Sequence, residues 1–555
     1  MRKFTIVTIY FLVFWILIPL LIFSLSDRLD IYLNIKQSSF IWSGCIILAV
    51  SVLLLGISIR DYFKFTGELP VSAYPPGNII RRGIYNYWRH PIYLFYTATI
   101  IGIAMIIGSL SMLLIVIPAF ILLEIVYIIF EEKRLINRFG EAYVYYKKQT
   151  GLILPHPYQL LRYPLLVLFK GLFRYQSVNP DLIPDSPPYI IVAEHKNYLD
   201  PFFIALSVSH PISYLTTFEA YRSNLIKWFL KYFFSISRKR FKVDLSSGRS
   251  VSDVLNKGGV IGLFPEGERS WTGETQKFKP EVMKFLLKKK EIPILPVSIM
   301  GNYHSWPRWA ETFRRCKIIV EFREPFYPDP GSSVDELEAR IRSSTGISKI
   351  PDRFPVSNSS FYKGLDKVLY RCCSCSDFNS FNISQNIFKC KNCGLELQVS
   401  SDLTLILLKG GNEKTMSIDE YYHSIRVTPE DSILKLKKRP AGDSAGQEEI
   451  ILDMKDSGIC QLFTETRLNN FQFVSGGRLL LGESNIIFRN GNNDHSLKYM
   501  DISSITTESN YKLQLYDQVA RQLYQLIFVK NNVLQWQDII TSIIFLKTGR
   551  LVNTR

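Results

Sequence analysis

Four long apolar segments fill the first quarter of the chain. They cover residues 4–23, 40–59, 91–110 and 112–130, and each approaches the roughly 20 residues that a helix needs to cross a bilayer. The first follows Met1-Arg2-Lys3, lacks a small-residue cleavage site and precedes further apolar segments, so we interpret it as a retained anchor. The pattern predicts an α-helical membrane bundle with four spans in residues 1–150.

Basic residues are distributed unevenly around these segments. The loop of residues 26–39 has balanced charge, whereas residues 60–90 and the residues after 130 carry several Arg and Lys side chains. The positive-inside rule then places the N-terminus, the second loop and everything after residue 130 in the cytoplasm. We expect an integral protein of the cell or inner membrane whose catalytic domains face the cytoplasm.

Short apolar runs alternate with helical segments after residue 160. The runs YIIVAEH (189–195), GGVIGLFPEGERS (258–270) and IPILPVSIMG (292–301) contain apolar stretches typical of buried strands. Strands that alternate with helices indicate an α/β domain, in which ligands bind at the carboxyl ends of the strands. The sequence predicts such a domain in residues 160–350.

Two Cys-x-x-Cys pairs lie within residues 366–400, separated by 14 residues. Thiolate pairs at this spacing are the signature of a zinc ribbon, with Cys372, Cys375, Cys390 and Cys393 as the predicted ligands. A register that uses Cys373, and reduced thiols without metal, are the alternatives. A zinc ion closed in by four cysteines is structural rather than catalytic.

Residues 450–555 follow a polar linker at 440–449 and are rich in short alternating strands. Asn-Gly-type turns join these strands, and a helical segment, VLQWQDIITSIIFLK, comes after them. This order resembles a pleckstrin-homology-like domain, which could bind a lipid or protein partner or pack on the rest of the chain. The predicted fold is therefore multidomain: membrane bundle, α/β domain, zinc ribbon and a mostly β C-terminal domain.

The net charge of +17 fits nucleic acid, an anionic membrane surface or a phosphorylated substrate equally well. The apolar segments and an aromatic content of 14% favour the membrane. Residues 225–242 combine aromatic and basic side chains, and we interpret them as a membrane-surface element. We expect membrane lipids as partners and no nucleic acid.

Three ordered blocks in the α/β region resemble a known enzyme family. HKNYLD (195–200) is similar to the His-x4-Asp motif of glycerolipid acyltransferases, FPEGERS (264–270) to their FPEGTRS block, and PILPVSIMG to their later Pro-rich strand. The resemblance implies that His195 is a general base oriented by Asp200. It also implies that Glu266 and Gly267 line the acceptor pocket and that Arg269 holds a phosphate.

The chain departs from the family pattern beside these blocks. Glu194 stands where Asn is common, Asn197 where Ser is common and Glu268 where Thr is usual. These differences leave the general base intact. They put the identity of the acyl acceptor in doubt.

A second resemblance lies in residues 66–146. The run RHPIY and the later EEKRLINRFGEAYVYY are similar to membrane methyltransferases that act on isoprenylcysteine or phospholipid head groups. The resemblance implies that His90, Glu131 and Glu132 hold S-adenosylmethionine. Alternatively, these side chains only extend to the cytoplasmic interface, and the domain is an anchor.

The sequence therefore predicts a membrane-bound enzyme that moves an acyl group from acyl-CoA or acyl carrier protein to a lysophospholipid hydroxyl. The leading acceptor is 1-acylglycerol-3-phosphate. The alternatives are an S-adenosylmethionine-dependent lipid methyltransferase, or a bifunctional methyl/acyltransferase whose tail recruits a partner.

Overall fold

A computed structural model provides the structure of the chain. It describes residues 5, 8–9, 11–34, 40–70, 77–217, 227, 230, 233–238, 245–345, 360–409, 412–431, 450–452, 458–467, 470–491, 494–529 and 533–554. The predicted membrane-surface element at 225–242 lies mostly outside these residues, and the predicted linker at 440–449 lies wholly outside them.

The N-terminal part of the chain is helical. Its described α-helices are α1 (Ile18–Tyr32), α2 (Ile41–Thr66), α3 (Pro91–Ile107), α4 (Ile117–Phe139), α5 (Glu141–Gln149) and α6 (Pro157–Phe173). A π-helical turn, Met112–Val116, extends α4 at its start, and another, Val13–Leu17, extends α1.

Two of these helices are long and apolar enough to cross a membrane, Ile41–Thr66 and Met112–Phe139. Large apolar side chains such as Trp42 and Leu114 are exposed on them. The apolar helix α3 has only 17 residues, and the first predicted span begins outside the described residues. The structure thus shows N-terminal apolar helices, and the prediction of four spans is not confirmed.

A seven-stranded sheet with helices around it follows. Its strands are β1 (Gln176–Val178), β2 (Tyr189–Ala193), β3 (Ile212–Thr217), β4 (Ile236–Arg238), β5 (Val260–Leu263), β6 (Ile294–Met300) and β7 (Ile319–Phe322). Its helices are α7 (Asp200–Ser207), α8 (Leu245–Asn256), α9 (Pro280–Lys288), α10 (Asn302–Ser305) and α11 (Val334–Thr345). The α/β prediction is confirmed.

The strand order, β1-β7-β6-β2-β5-β3-β4, puts β2 in the middle of the sheet. β2 runs parallel to β5 on one side and to β6 on the other, with Val192 opposite Leu263 and Ala193 opposite Val297. Every residue of β2 and β5 is buried, which explains their unbroken apolar sequences. The carboxyl ends of three strands therefore meet at one edge of the sheet.

The tail contains two further sheets. The first is antiparallel and consists of β8 (Phe381–Ser384), β9 (Ile387–Cys390), β10 (Glu396–Val399), β11 (Leu405–Lys409) and β12 (Asn412–Met416), followed by α12 (Ile418–Ile425). The second consists of β13 (Ile450–Leu452), β14 (Ile459–Arg467), β15 (Asn470–Gly482), β16 (Asn485–Arg489), β17 (His495–Lys498), β18 (Ile502–Glu508), β19 (Lys512–Asp517), β20 (Gln522–Phe528) and β21 (Asn553–Thr554), with α13 (Val533–Thr548). The C-terminal region is thus rich in β-structure.

The tail and the α/β domain share one hydrophobic core. Trp271, Tyr303 and Trp309 of the α/β domain belong to the same buried cluster as Tyr370 and Trp536 of the tail. The tail also approaches closely at Gly364, where a Cβ atom would lie 2.3 Å from the carbonyl oxygen of Trp309. The two parts are therefore packed together rather than joined only by a tether.

Candidate active site

His195 and Asp200 meet at the carboxyl end of β2. His195 follows this strand, and Asp200 is the first residue of α7. His195 Nδ1 lies 3.0 Å from Asp200 Oδ2, and the Asp200 side chain is completely buried. This contact favours the tautomer in which Nδ1 donates to the carboxylate and Nε2 keeps its lone pair.

Backbone and amide donors fix the Asp200 carboxylate. Its Oδ2 accepts 2.8 Å bonds from the N–H groups of Lys196 and Asn197, and its Oδ1 accepts a 2.9 Å bond from Asn302 Nδ2. The Asn197 side chain in turn donates to the Asn302 carbonyl at 2.7 Å. With His195 Nδ1, these three donors hold the carboxylate in one orientation.

The FPEGERS loop holds the backbone of His195 from the other side. Glu266 Oε1 accepts a 2.9 Å bond from the His195 N–H, and the Ser270 N–H donates 3.0 Å to the His195 carbonyl. Glu266 Oε2 accepts from the Gln276 N–H at 3.0 Å. Burial raises the pKa of Glu266 to about 8. The Glu266 side chain thus links the loop that contains His195 to the backbone at Gln276.

Gly267 sits at a turn that no other residue fits. Its φ is +75°, and a Cβ atom would lie 2.4 Å from Lys279 Nζ. A side chain there would strain the backbone and displace the lysine. Gly267 therefore shapes the loop that carries Glu266.

The His195 ring packs on an aromatic ring and is influenced electrostatically by two arginines. It stacks on Phe264 with ring centroids 4.3 Å apart, and its side chain is 22% exposed. Burial lowers its pKa, Asp200 opposes this shift, and Arg269 and Arg308 add to it. His195 is therefore neutral at neutral pH, as a general base must be.

Arg269 lies over the face of Tyr198, with its guanidinium carbon 3.2 Å from the ring centroid. Burial lowers its pKa to about 10, so it remains charged at neutral pH. Its buried Nη1 has no hydrogen-bond partner among the described residues. An unused buried donor is costly, and an anionic ligand would satisfy it.

A cavity of about 870 Å³ opens beside the dyad. Residues that directly follow His195 in the chain line it, namely Tyr198, Leu199, Pro201 and Phe202. Ile212 and Tyr214 of β3 also line it. Its volume and apolar side chains suit a ligand with a hydrocarbon part.

A second histidine–carboxylate cluster lies where the start of α3 meets the C-terminal half of α4. Glu132 on α4 accepts 2.5 Å bonds from Arg89 Nε and Lys147 Nζ, and His90 Nε2 lies 3.5 Å from it. His90 Nδ1 is 3.7 Å from Glu131 Oε2. The three residues that the sequence assigned to cofactor binding are thus brought together.

A small cavity of about 120 Å³ adjoins this cluster. His90 and Glu131 line it, with Tyr85, Arg89 and Tyr143. His90 Nε2 and Glu131 Oε2 are buried there, and neither has a hydrogen-bond partner in the part of the chain that the structure describes. These atoms fit the charged groups of a cofactor such as S-adenosylmethionine, but the volume is below the roughly 300–1,000 Å³ usual for small-molecule sites.

Comparison with known proteins identifies both regions. The sequence model of the Acyltransferase family matches residues 174–300, and that of the phospholipid methyltransferase family matches residues 40–142. The chain thus contains a domain that matches the Acyltransferase family. Its acyltransferase domain is fused to an N-terminal phospholipid methyltransferase-like domain.

Similar proteins match the acyltransferase domain. One, named "Probable 1-acyl-sn-glycerol-3-phosphate acyltransferase", from Mycoplasma genitalium, is 30% identical over 158 residues, which cover 25% of this chain and 58% of that protein. A protein with the same name from Mycoplasma pneumoniae is 26% identical, covering 31% of this chain and 74% of its own. The crystal structure of the 1-acyl-sn-glycerophosphate acyltransferase PlsC from Thermotoga maritima is 25% identical, covers 33% of this chain and 77% of that one, and gives a TM-score of 0.29. This chain thus spans less than two thirds of the first relative.

The four predicted zinc ligands form one cluster in the tail. The Sγ atoms of Cys372, Cys375, Cys390 and Cys393 all lie within 4.8 Å of one another. The closest pairs, Cys372 with Cys393 and Cys375 with Cys390, are 3.6 Å apart. Four sulfurs at this separation suit tetrahedral zinc.

Sequence reasoning missed Asn302 and Arg308. Asn302 follows Gly301 at the carboxyl end of β6 and holds Asp200. Its position beside β2 in a parallel sheet was the available signal. Arg308 explains the unusual Glu268, since Arg308 Nη1 lies 3.2 Å from Glu268 Oε2.

Proposed function

We propose that this protein moves an acyl group from acyl-CoA or acyl carrier protein to a lysophospholipid hydroxyl, with 1-acylglycerol-3-phosphate as the leading acceptor. The observation that carries the proposal is the His195–Asp200 pair beside an apolar cavity of about 870 Å³. The names of the relatives support the acceptor.

His195 is the general base of this proposal. The acceptor hydroxyl gives its proton to Nε2 as its oxygen bonds to the thioester carbon, and Asp200 stabilises the resulting imidazolium. Collapse of the tetrahedral intermediate breaks the C–S bond and releases the thiol, which takes the proton back from His195. The product is an ester, and no other reactant is consumed.

Arg269 is the proposed phosphate ligand. Its buried Nη1, without a hydrogen-bond partner among the described residues, and its position six residues after Leu263, the last residue of β5, support this role. Arg308 and Lys196 are also buried near the site, and each is paired with a carboxylate, Glu268 and Glu194 respectively. Glu266 and Gly267 contribute by positioning the loop and the His195 backbone.

We place the enzyme in a membrane with its catalytic domains in the cytoplasm. The two long apolar helices support the membrane. The basic residues after α4 support the orientation, because such residues concentrate on the cytoplasmic side. A zinc ion held by the four cysteines would stabilise the fold of the tail.

Methyl transfer is the second candidate function. The family match over residues 40–142 favours it, as do the buried His90 Nε2 and Glu131 Oε2, which have no hydrogen-bond partner among the described residues. When bound, S-adenosylmethionine would supply the methyl group. The small cavity means that binding requires this site to widen.

A direct binding measurement tests the second function. Calorimetry on the purified full chain should show binding of S-adenosylmethionine. His90→Ala should abolish this binding. The control His495→Ala, at an exposed position, should retain it. Binding that is equal in all three proteins, or absent from the wild type, would contradict a cofactor role for this cluster.

Acyl transfer is tested with purified protein in lipid vesicles. Labelled acyl-CoA or acyl carrier protein is offered with lysophosphatidate, other lysophospholipids or glycerol 3-phosphate. We expect transfer to lysophosphatidate by the wild type and by His423→Ala, whose side chain is exposed on α12. Transfer to none of these acceptors would contradict the proposal.

A further inference from the structure

One turn of the tail forms part of the cavity beside His195. The turn Ser509–Tyr511 joins β18 to β19, and all three of its residues line the cavity. Other lining residues come from the acyltransferase domain, including Tyr198 and Leu199. The cavity is therefore completed by a region that lies outside the family match at 174–300.

Arg308 fixes the turn to the active-site loop. Its Nε donates 3.0 Å to the Ser509 carbonyl, and its Nη2 donates 2.7 Å to Thr507 Oγ1 and also to the Thr507 carbonyl. Its Nη1 donates to the Arg269 carbonyl at 3.1 Å and contacts Glu268 at 3.2 Å. Because Arg308 is only 4% exposed, these bonds are shielded from water and hold the turn in register with residues 268–269.

The surrounding core supports the same placement. Arg308 lies over the Trp271 ring at 4.7 Å, and Asn510 Nδ2 is 3.5 Å from the Trp309 carbonyl. Both tryptophans belong to the core shared with the tail. The turn is thus held by a packed interface and not by Arg308 alone.

We propose that the Ser509–Tyr511 turn is a selectivity element for the fatty acyl chain that occupies this cavity. The proposal rests on the proposed acyl transfer and names the tail as one wall of the substrate site. A fixed wall sets how long a hydrocarbon chain fits, and each methylene that gains or loses contact changes selectivity. The chain in question belongs either to the acyl donor or to the lysophospholipid acceptor.

Variants of Tyr511 test the proposal. Tyr511→Ala should enlarge the cavity and Tyr511→Trp should narrow it. Tyr511 does not belong to the His195–Asp200 dyad. One series varies the chain length of the acyl-CoA at fixed lysophosphatidate, and the other varies the lysophosphatidate chain at fixed acyl-CoA. We expect the kcat/KM ratio of long to short chains to change at least about fivefold in one series, in opposite directions for the two variants.

The matched control is Val519→Ala, an exposed position in the next turn of the same sheet. It should keep the wild-type ratio in both series. Ratios in both Tyr511 variants equal to those of the wild type in both series would overturn the proposal. The series that responds identifies whether donor or acceptor chain lies against the turn.

Photolabelling separates this proposal from the proposed activity. A lysophosphatidate with a photoreactive group at the end of its acyl chain, and an acyl-CoA made in the same way, are cross-linked to the full chain without turnover. We expect label on the peptide that contains Tyr511, reduced by the matching unlabelled lipid. Such label in a protein that transfers no acyl group would refute the proposed activity but support contact between the Ser509–Tyr511 turn and the lipid chain. Label confined to the acyltransferase domain would contradict this contact.

Discussion

The two histidine–carboxylate clusters of this protein contain similar groups in opposite settings. His195 has one carboxylate partner, Asp200, and the chain neighbours of Asp200, Leu199 and Pro201, line a large apolar cavity. His90 lies between two glutamates, one of which is also bound by Arg89 and Lys147, beside a cavity of about 120 Å³. The comparison shows that residue types alone do not define a reactive site, because the free nitrogen and the space beside it decide what can react.

The largest expected effect is at His195. His195→Ala should lower acyl transfer by about a thousandfold, since general-base catalysis contributes roughly 10²–10⁴-fold. The variant should keep the thermal stability of the wild type to within about 1 kcal/mol. Steady-state assays with His423→Ala as the control check this. Transfer that persists in His195→Ala would exclude the histidine as the base.

Glu132 tests whether the second cluster is mainly structural. Glu132→Gln leaves Arg89 without its charged partner in a buried site, and we expect a loss of about 2–3 kcal/mol in unfolding free energy. Acyl transfer below the unfolding transition should stay near the wild-type rate. Denaturation curves of this variant and of Glu131→Gln measure the difference. Equal stability of Glu132→Gln and wild type would remove the structural interpretation.

The pH dependence of the unfolding free energy tests the environment of Glu266, whose carboxyl holds the His195 backbone. Because burial raises its folded pKa to about 8, above the usual 4.5, the folded state binds an extra proton between these values. Its contribution to stability is complete below pH 4.5 and is lost as the pH rises through 8. Glu266→Gln should remove this decline, which amounts to at most about 1.4 kcal/mol per pH unit. An unchanged slope in the variant would contradict the raised pKa.

The pH profile of acyl transfer gives the smallest effect. The lowered pKa of His195 predicts that kcat/KM rises with pH through a value below the usual 6.5 and is flat at neutral pH. The rate should therefore differ little between pH 7 and 8. An inflection above pH 7 would show that the ring is charged in the free enzyme and would weaken its assignment as a base.

Much of the site could be predicted because it is local in sequence. His195 and Asp200 are five residues apart, and a buried strand followed by a helix start brings them together without help from distant residues. The cysteine pairs were found in the same way. The number of membrane spans was harder to predict. By its length alone, α3 is too short to count as a membrane span, and the ends of helices are uncertain by several residues.

Other parts could not be predicted from local pattern. The sequence placed Glu266 in the acceptor pocket but did not predict that its carboxyl accepts backbone N–H bonds from His195 and Gln276. Glu268 was an unexplained departure until Arg308 was found beside it. His195 lies 71 residues from Glu266 and Arg308 lies 40 residues from Glu268, so no spacing rule reveals these two contacts.

The sequence by itself determined the apolar helices, the strand that presents His195, the dyad and the four thiols, since each depends on residues within one or two elements. Only the tertiary structure decided that Asn302 holds Asp200, that Arg308 joins the tail to residues 268–269, and that Ser509–Tyr511 closes the cavity. The physical reason is that these contacts arise from the packing of a shared core, which is fixed by the complementarity of surfaces distant in sequence.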